Sequence, residues 1–183
     1  KEGTAEYKGK IKNVKVARKA VNDALHKCLL SDEKAMKWLE DRNVSKADVK
    51  RWKIGLAWGT MLADLRETID VKTLMEIGIV VDDSSGNRKR DYLKRDMLTF
   101  PMHNDSGRIS HWHLRYWPDK KKFDYQIKND HRDGSLFFNQ QALKQSNKIF
   151  LVEGPFEVIQ LEKRGYDAMS FNGTSSEKQL EYL

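Results

Sequence analysis

A single cysteine, Cys28, stands among 183 residues. That excludes an internal disulfide framework and any zinc site built on paired cysteines within the chain. Cys28 itself reads as a small apolar residue of a helix rather than a catalytic thiol. No apolar run reaches membrane-spanning length and no secretory signal is present, so a cytoplasmic protein without a membrane partner is expected. Internal repeats and low-complexity segments are also missing. The turn-rich stretch Asp82-Asp83-Ser84-Ser85-Gly86-Asn87 lacks the ligand spacing of a calcium loop and reads as exposed. The chain begins at Lys1 without methionine and stops inside a predicted helix, so it reads as an excised piece of a longer protein.

What the chain does have is charge, unevenly spread. Its formal net charge is +7. Residues 1–60 hold 15 Lys and Arg against 8 Asp and Glu, residues 61–146 hold 15 against 13, and residues 147–183 hold 4 against 6. A basic amino-terminal part followed by an acidic end suits an enzyme that handles a polyanion near a metal. With 39% hydrophobic residues, there is enough apolar surface for one good core or two small ones.

Lys1 to about Asn13 is polar and lysine-rich and is expected to be a linker or tail. From Val14 to Leu30, Ala17, Val21, Ala24, Leu25 and Cys28 recur at spacings of three and four, the pattern of a helix with one buried stripe. Ser31-Asp32 starts a second helix through Ala35, Met36 and Leu39. Ser45 with Asp48 marks the start of a third, carrying Val49 and Trp52. Ile54 to Trp58 then leaves in an extended form. Residues 61–81 are expected to form another helix, stopped by Gly78. After the basic cluster Arg88 to Arg95, Met97 to Met102 is apolar, His103 to Arg108 is a turn, and Ile109 to Tyr116 alternates as a strand. On that strand His111, His113 and Arg115 share one face, which is expected to be exposed and to meet polynucleotide rather than a metal. Phe123, Tyr125 and Ile127 alternate along a further strand, and Phe137 with Phe138 reads as core.

The most informative stretch is Ile149-Phe150-Leu151-Val152-Glu153-Gly154-Pro155-Phe156-Glu157-Val158-Ile159. An unbroken apolar run suits a strand buried on both faces. Pro155 suits the first position of a helix, where its missing N–H costs nothing. Lys163-Arg164-Gly165 ends that helix, and Ala168 to Phe171 reads as a second strand, completing a β-α-β unit. Glu153 then lies at the carboxyl end of a strand and Glu157 in the next helix's first turn. Two carboxylates so placed offer oxygen ligands to a hard divalent cation. Ser176 with Gln179 suggests a capping box for one more helix.

This stretch resembles the start of a Toprim domain as found in DnaG-type bacterial and phage primases. That pattern has an apolar strand, Glu-Gly, an acid four places on, and a Gly-Thr turn matched here by Asn172-Gly173-Thr174. Upstream, the helix from Ala35 with its Gly-Leu-Ala exit, the basic segment through Arg95, the Gly107-Arg108 turn and the strand ending in Arg115 are similar to the amino-terminal subdomain of the same core. Asp96 and Met97 stand where the primases have Asn and Arg.

The resemblance implies an α+β fold: a helical amino-terminal part, a mixed or antiparallel sheet, then the opening of an α/β Toprim domain. The implied units are 14–146 and 147–183. It implies synthesis of short RNA primers on single-stranded DNA from ribonucleoside triphosphates, with room for a replicative helicase as partner, in the host cytoplasm if phage-encoded. Glu153 and Glu157 are then ligands for Mg²⁺ or Mn²⁺, with Glu153 as ligand or acid–base group and Gly154, Gly173 and Thr174 shaping the turn. Lys94, Arg95, Arg108, Arg115, Lys122 and Lys128 are the implied contacts to nucleic acid or nucleotide. The family's Asp-x-Asp element is not within the chain, so the fragment alone is expected to be inactive. Two alternatives remain open: another Toprim enzyme such as an OLD-type nuclease, and a non-enzymatic nucleic-acid-binding module.

Overall fold

The structure, a computed structural model, describes residues 9–118, 124–126, 137–172 and 177–183. Three helices come first, each begun by a capping side chain. Asn13 caps α1 (Val14–Ser31), Asp32 caps α2 (Glu33–Glu40), and Ser45 caps α3 (Lys46–Trp52). The third start is a full capping box, in which the Ser45 hydroxyl accepts from Asp48 N–H while the Asp48 carboxylate accepts from Ser45 N–H. These are the starts expected from the sequence, and Gly78, at φ +79°, is the expected left-handed stop. The tail expected over residues 1–13 is tied down at its end: Ile11 bridges Ile69 and exchanges backbone hydrogen bonds with Thr68 and Asp70.

That same bridge corrects the single helix expected over 61–81. The segment instead forms two short helices, α4 (Met61–Leu65) and α5 (Val71–Glu76), with Asp70 capping the second. Ile69 is fully buried between them, so a long-range pairing with Ile11 outcompetes local helical continuation.

The centre of the fold is a four-stranded antiparallel sheet in the order β1 (Gly55–Leu56), β4 (Met97–His103), β5 (Ile109–Tyr116), β6 (Asp124–Gln126). A separate hairpin pairs β2 (Val80–Asp82) with β3 (Lys89–Asp91). Both faces of the central sheet are covered. Trp112 and Leu114 point into a core with Ala17, Val21 and Leu25 of α1, and the Trp112 indole N–H donates to Asn22 Oδ1 at 2.9 Å. Leu98, Phe100 and Met102 point into a second core shared with α2, α3 and the later helix α6 (Pro155–Glu162).

This two-sided burial corrects the expectation of an exposed face for His111 and His113. Both rings are buried, opposite Met102 and Phe100 in register. His111 Nδ1 lies 2.6 Å from Ser110 Oγ, and the His113 ring packs on Phe100 with centroids 6.1 Å apart. They are core side chains facing the second helical layer, not a polynucleotide surface.

The carboxyl-terminal part is the expected β-α-β unit. β7 (Phe150–Val152) runs parallel to β8 (Ala168–Ser170), with α6 between them and Pro155 in its first turn. α7 (Glu177–Tyr182) follows. One expectation fails here: β7 is not buried on both faces, since Phe150 and Leu151 are 44% and 42% exposed. Of the two strands, β8 is the inner one, flanked by β7 and by Phe138 through backbone bonds to Ser170, while among the described residues β7 has β8 alone. Among the described residues no helix is long and apolar enough to cross a membrane.

Gly55 is where α1 touches the sheet. A Cβ there would lie 2.6 Å from both Leu25 Cβ and Thr99 Oγ1 and 2.9 Å from the Leu25 carbonyl carbon. Two of the three contacts are to atoms close to or within the α1 backbone and cannot swing aside. Gly55→Ala is expected to cost at least about 2 kcal/mol through overpacking, a fall in Tm of roughly 4–8 °C for a chain of this size. Thermal denaturation checks it, and a variant as stable as the parent would mean that α1 does not press on β1.

Candidate functional site

Glu153 follows β7 directly and Glu157 is the acidic residue of α6's first turn; both are exposed. Gly154 is the residue before the helix, and a Cβ there would meet Glu157 Oε2 at 3.1 Å. The Glu157 carboxylate therefore folds back over the Gly154 backbone, toward the loop that carries Glu153. A side chain at position 154 would meet that carboxylate closely, and the exposed Glu157 side chain would have to shift by a few tenths of an ångström. Both groups supply the hard oxygen donors that Mg²⁺ or Mn²⁺ prefers. Among the described residues no cluster of three or more metal-ligating side chains forms.

Phe156, between these acids, is the anchor that positions them. Its ring packs edge-on against Phe100 of β4 at 5.4 Å and against Trp38 of α2 at 6.1 Å. The Arg115 guanidinium lies over the same ring, 5.1 Å from its centroid. Trp117, just beyond β5, meets Trp38 at 6.5 Å, and Arg42 stacks on the other tryptophan at 3.6 Å. The buried indole N–H of Trp117 has no acceptor among the described residues. Sequence reasoning did not bring Trp38, Arg42 and Trp117 to this place. Their signal, aromatic residues in half-buried helix and strand-end positions, is shared with ordinary core residues.

A polar joint holds α6 from the other side. Arg51 of α3 pairs with Glu162 at 2.7 Å, and Lys163 pairs with Asp48 at 3.0 Å. Gln160 Nε2 donates to the carbonyls of Arg42 and Asn43, and Lys163 donates to Asn43 as well. Asn139 bridges Glu162 and the Ala168 carbonyl. The β-α-β unit is thus fastened at the turn between α2 and α3, which sets where the acids point.

The other expected contacts divide into two groups. Lys94 and Arg95 lie at the end of the sheet where β4 begins and β5 ends, the end that also carries Arg115. Lys94 lines a small recess of about 170 Å³ with Arg90, Tyr92 and Tyr116. The Arg95 side chain is 81% exposed. Asp96, beside it, has φ +68° and accepts from Trp117 N–H through its carbonyl. Asn and Asp are the non-glycine residues that best tolerate this left-handed region, so the position calls for one or the other on backbone grounds.

Arg108 is elsewhere. It sits at the tip of the β4–β5 hairpin, seven residues along β5 from Arg115 and so about 23 Å away at strand rise. Lys122, Lys128, Gly173 and Thr174 lie outside the described residues. Arg88 to Arg90 form the exposed hairpin face, with Lys89 paired to Asp82.

Comparison with known proteins bears on the family and the fold. Residues 25–143 match the family described as the DNA primase catalytic core, N-terminal domain. The chain belongs to that family. No curated protein matches it in sequence. Among solved structures, a DNA primase domain from Pseudomonas aeruginosa superposes with a TM-score of 0.79 at 22% identity, over 93% of this chain and 58% of that one. The E. coli primase catalytic core gives 0.77 at 19%, over 93% and 58%. The RNA polymerase domain of Mycobacterium tuberculosis primase DnaG, in complex with double-stranded DNA, gives 0.76 at 18%, over 92% and 58%. These likenesses establish the primase-core fold, and the chain spans less than three fifths of the length of these neighbours.

The joint makes a prediction in pH. Burial pushes the Asp48 carboxyl up, but the Ser45 hydrogen bonds and the Lys163 ammonium outweigh it and hold the group below its ordinary value. A depressed carboxyl contributes stability that is complete above the unfolded value, about 4, and is lost as pH falls through the native one. Asp48→Asn is therefore expected to lose about 1–2 kcal/mol at pH 7, including its share of the cap. Its deficit relative to wild type should shrink as the pH drops below 4. Urea unfolding of both proteins at pH 7 and pH 3 measures this; an unchanged deficit would remove the carboxylate's charge from the explanation.

Proposed function

We propose that this chain is the amino-terminal part of a DNA primase core together with the opening of its Toprim domain. In this reading it takes part in making short RNA primers on single-stranded DNA from ribonucleoside triphosphates. The observation that carries the proposal is the placement of Glu153 and Glu157 around Phe156, with the Arg115 guanidinium stacked on that same ring. Acids for a cation then flank the start of α6, and a guanidinium from β5 is stacked on the aromatic ring between them. Family membership supports this, as do neighbours described as a DnaG primase catalytic domain bound to single-stranded DNA and a primase bound to double-stranded DNA.

In this reading Glu153 and Glu157 hold Mg²⁺ or Mn²⁺ in part, the remaining acids coming from further Toprim sequence. Such an ion, when bound, neutralises triphosphate charge and favours attack by a 3′ hydroxyl. The chain's own residues orient and restrain. Arg115 pairs with phosphate through its planar fork while the Phe156 ring limits its swing. Lys94 and Arg95, on exposed backbone at the same sheet end, hold the template by charge without reading its sequence. Phe156, fixed by Phe100 and Trp38, keeps the two acids at a constant setting toward them.

The test is primer synthesis by a polypeptide that continues to the full length of the solved neighbours, with single-stranded DNA, labelled ribonucleotides and Mg²⁺ or Mn²⁺. Short RNA products are expected, reduced about 100-fold or more by Glu153→Gln, on the scale typical of a lost acid–base or ligand group. The 183-residue chain alone is expected to yield none. Undiminished synthesis by Glu153→Gln would remove the acid from the site, and no product with either metal would overturn the primase reading.

A further inference from the structure

Arg108 does not belong with the acids. It shares an open cleft of about 470 Å³ with Lys15, Val16 and Lys19 of α1 and with His103 and Ile109 of the β4–β5 hairpin. The cleft lies about 23 Å from Arg115 along β5, and its basic side chains come from parts of the sequence some ninety residues apart.

From this arrangement we infer that the α1–hairpin cleft is a second nucleic-acid contact, seating the sugar-phosphate backbone of a strand beyond the acidic site. The inference rests on the primase reading only for the identity of the polyanion.

Helix stability does not explain the charge on α1. Its first turn contains no acidic residue, and Lys15 stands where the positive end of the helix favours acids. Nor is the charge neutralised within the fold. Among the described residues no carboxylate pairs with Lys15 or Arg108, both of which are exposed, and Lys19 meets only the exposed Asp23 four residues on. Such an exposed pair is weak and gives way to a phosphate. The same cleft is also lined by apolar side chains, Val16, which is 52% exposed, and Ile109. Spread cations interleaved with apolar side chains suit a sugar-phosphate strand. A small anion would need buried donors converging on one point, whereas several spread cations gain from many phosphates through counterion release.

The tip that presents Arg108 is held in place. Asn104 Oδ1 accepts from Ser106 N–H and Arg108 N–H, and Gly107, at φ +73°, closes the turn. The Asp105 carboxylate accepts from Tyr182 and Gln140, each at 2.6 Å, so the one acid at the tip is tied to α7 and to the short helix Gln140–Lys144. Gln141 and Lys144 donate to the Asn104 and Asp105 carbonyls. The cation is thus offered from a rigid mount.

The test is fluorescence anisotropy of a labelled 16-nucleotide oligo-dT titrated with the 183-residue chain in EDTA, across a salt series. A Lys15→Gln/Arg108→Gln variant is compared with Lys34→Gln/Lys37→Gln, which removes the same charge from α2. The cleft variant is expected to weaken binding at least about fivefold and to lower the log–log salt slope by about 1.4, roughly 0.7 for each lost contact to a single strand. The α2 variant should change Kd less than twofold, Lys15→Arg/Arg108→Lys should restore binding, and thermal melts of all variants should coincide. Equal losses in both glutamine variants, or none in the cleft variant, would overturn the inference while leaving primer synthesis to judge the enzyme. So would equal sensitivity toward a polyglutamate peptide, or no DNA binding by the parent chain at low salt.

Discussion

The missing side chain at Gly55 is the constraint from which the rest of the arrangement follows. With no Cβ there, α1 lies directly on β1, Leu25 against the strand and Thr99 of β4 beside it. β4 then presents Phe100 on its far face, where the ring meets Phe156 at the start of α6. Helix, strand, ring and acidic turn are thus linked contact by contact from Leu25 to Phe156 and its neighbour Glu157. Because close-packed interiors transmit displacement, any lift of α1 from the sheet is carried toward the carboxylates.

The sheet also separates two electrostatic neighbourhoods. At one end stand Lys94, Arg95 and Arg115, the last lying over the Phe156 ring between Glu153 and Glu157. At the other, Lys15 and Arg108 face each other across the hairpin tip. Between them both sheet faces are filled by Trp112, Leu114, Phe100 and Met102, so charge is confined to the ends of the strands.

Much of the local structure was legible in the sequence because local interactions set it. Asn43 and Gly78 take left-handed backbone where the helical patterns stop, Ser45 and Asp48 cap each other, and Pro155 opens α6. What misled were features fixed by distant partners. The alternation of β5 suggested one wet face, yet α6 and α2, well separated in sequence, dry it and bury His111 and His113. The break at Ile69 is made by Ile11, and the exposure of β7 by the place of β8 inside it. That Glu153 would follow a strand and Glu157 would lie in the next helix's first turn was readable from spacing. Arg108 and Arg115 are close in the motif but stand at opposite ends of β5, and Lys15 becomes a neighbour of Arg108 only in space.

The joint between the β-α-β unit and the helical part has a consequence for how such cores diverge. Arg51 with Glu162, Lys163 with Asp48 and Asn43, and Gln160 with two carbonyls of one turn make a key whose teeth lie on both halves. A chimera that joined this amino-terminal part to the β-α-β unit of a relative would leave Glu162 and Lys163 replaced but Arg51 and Asp48 in place. Asp48, a buried carboxylate, would then have no ammonium to meet. In this chain, an exchange of one half keeps the joint only where the incoming half brings its own teeth for the key.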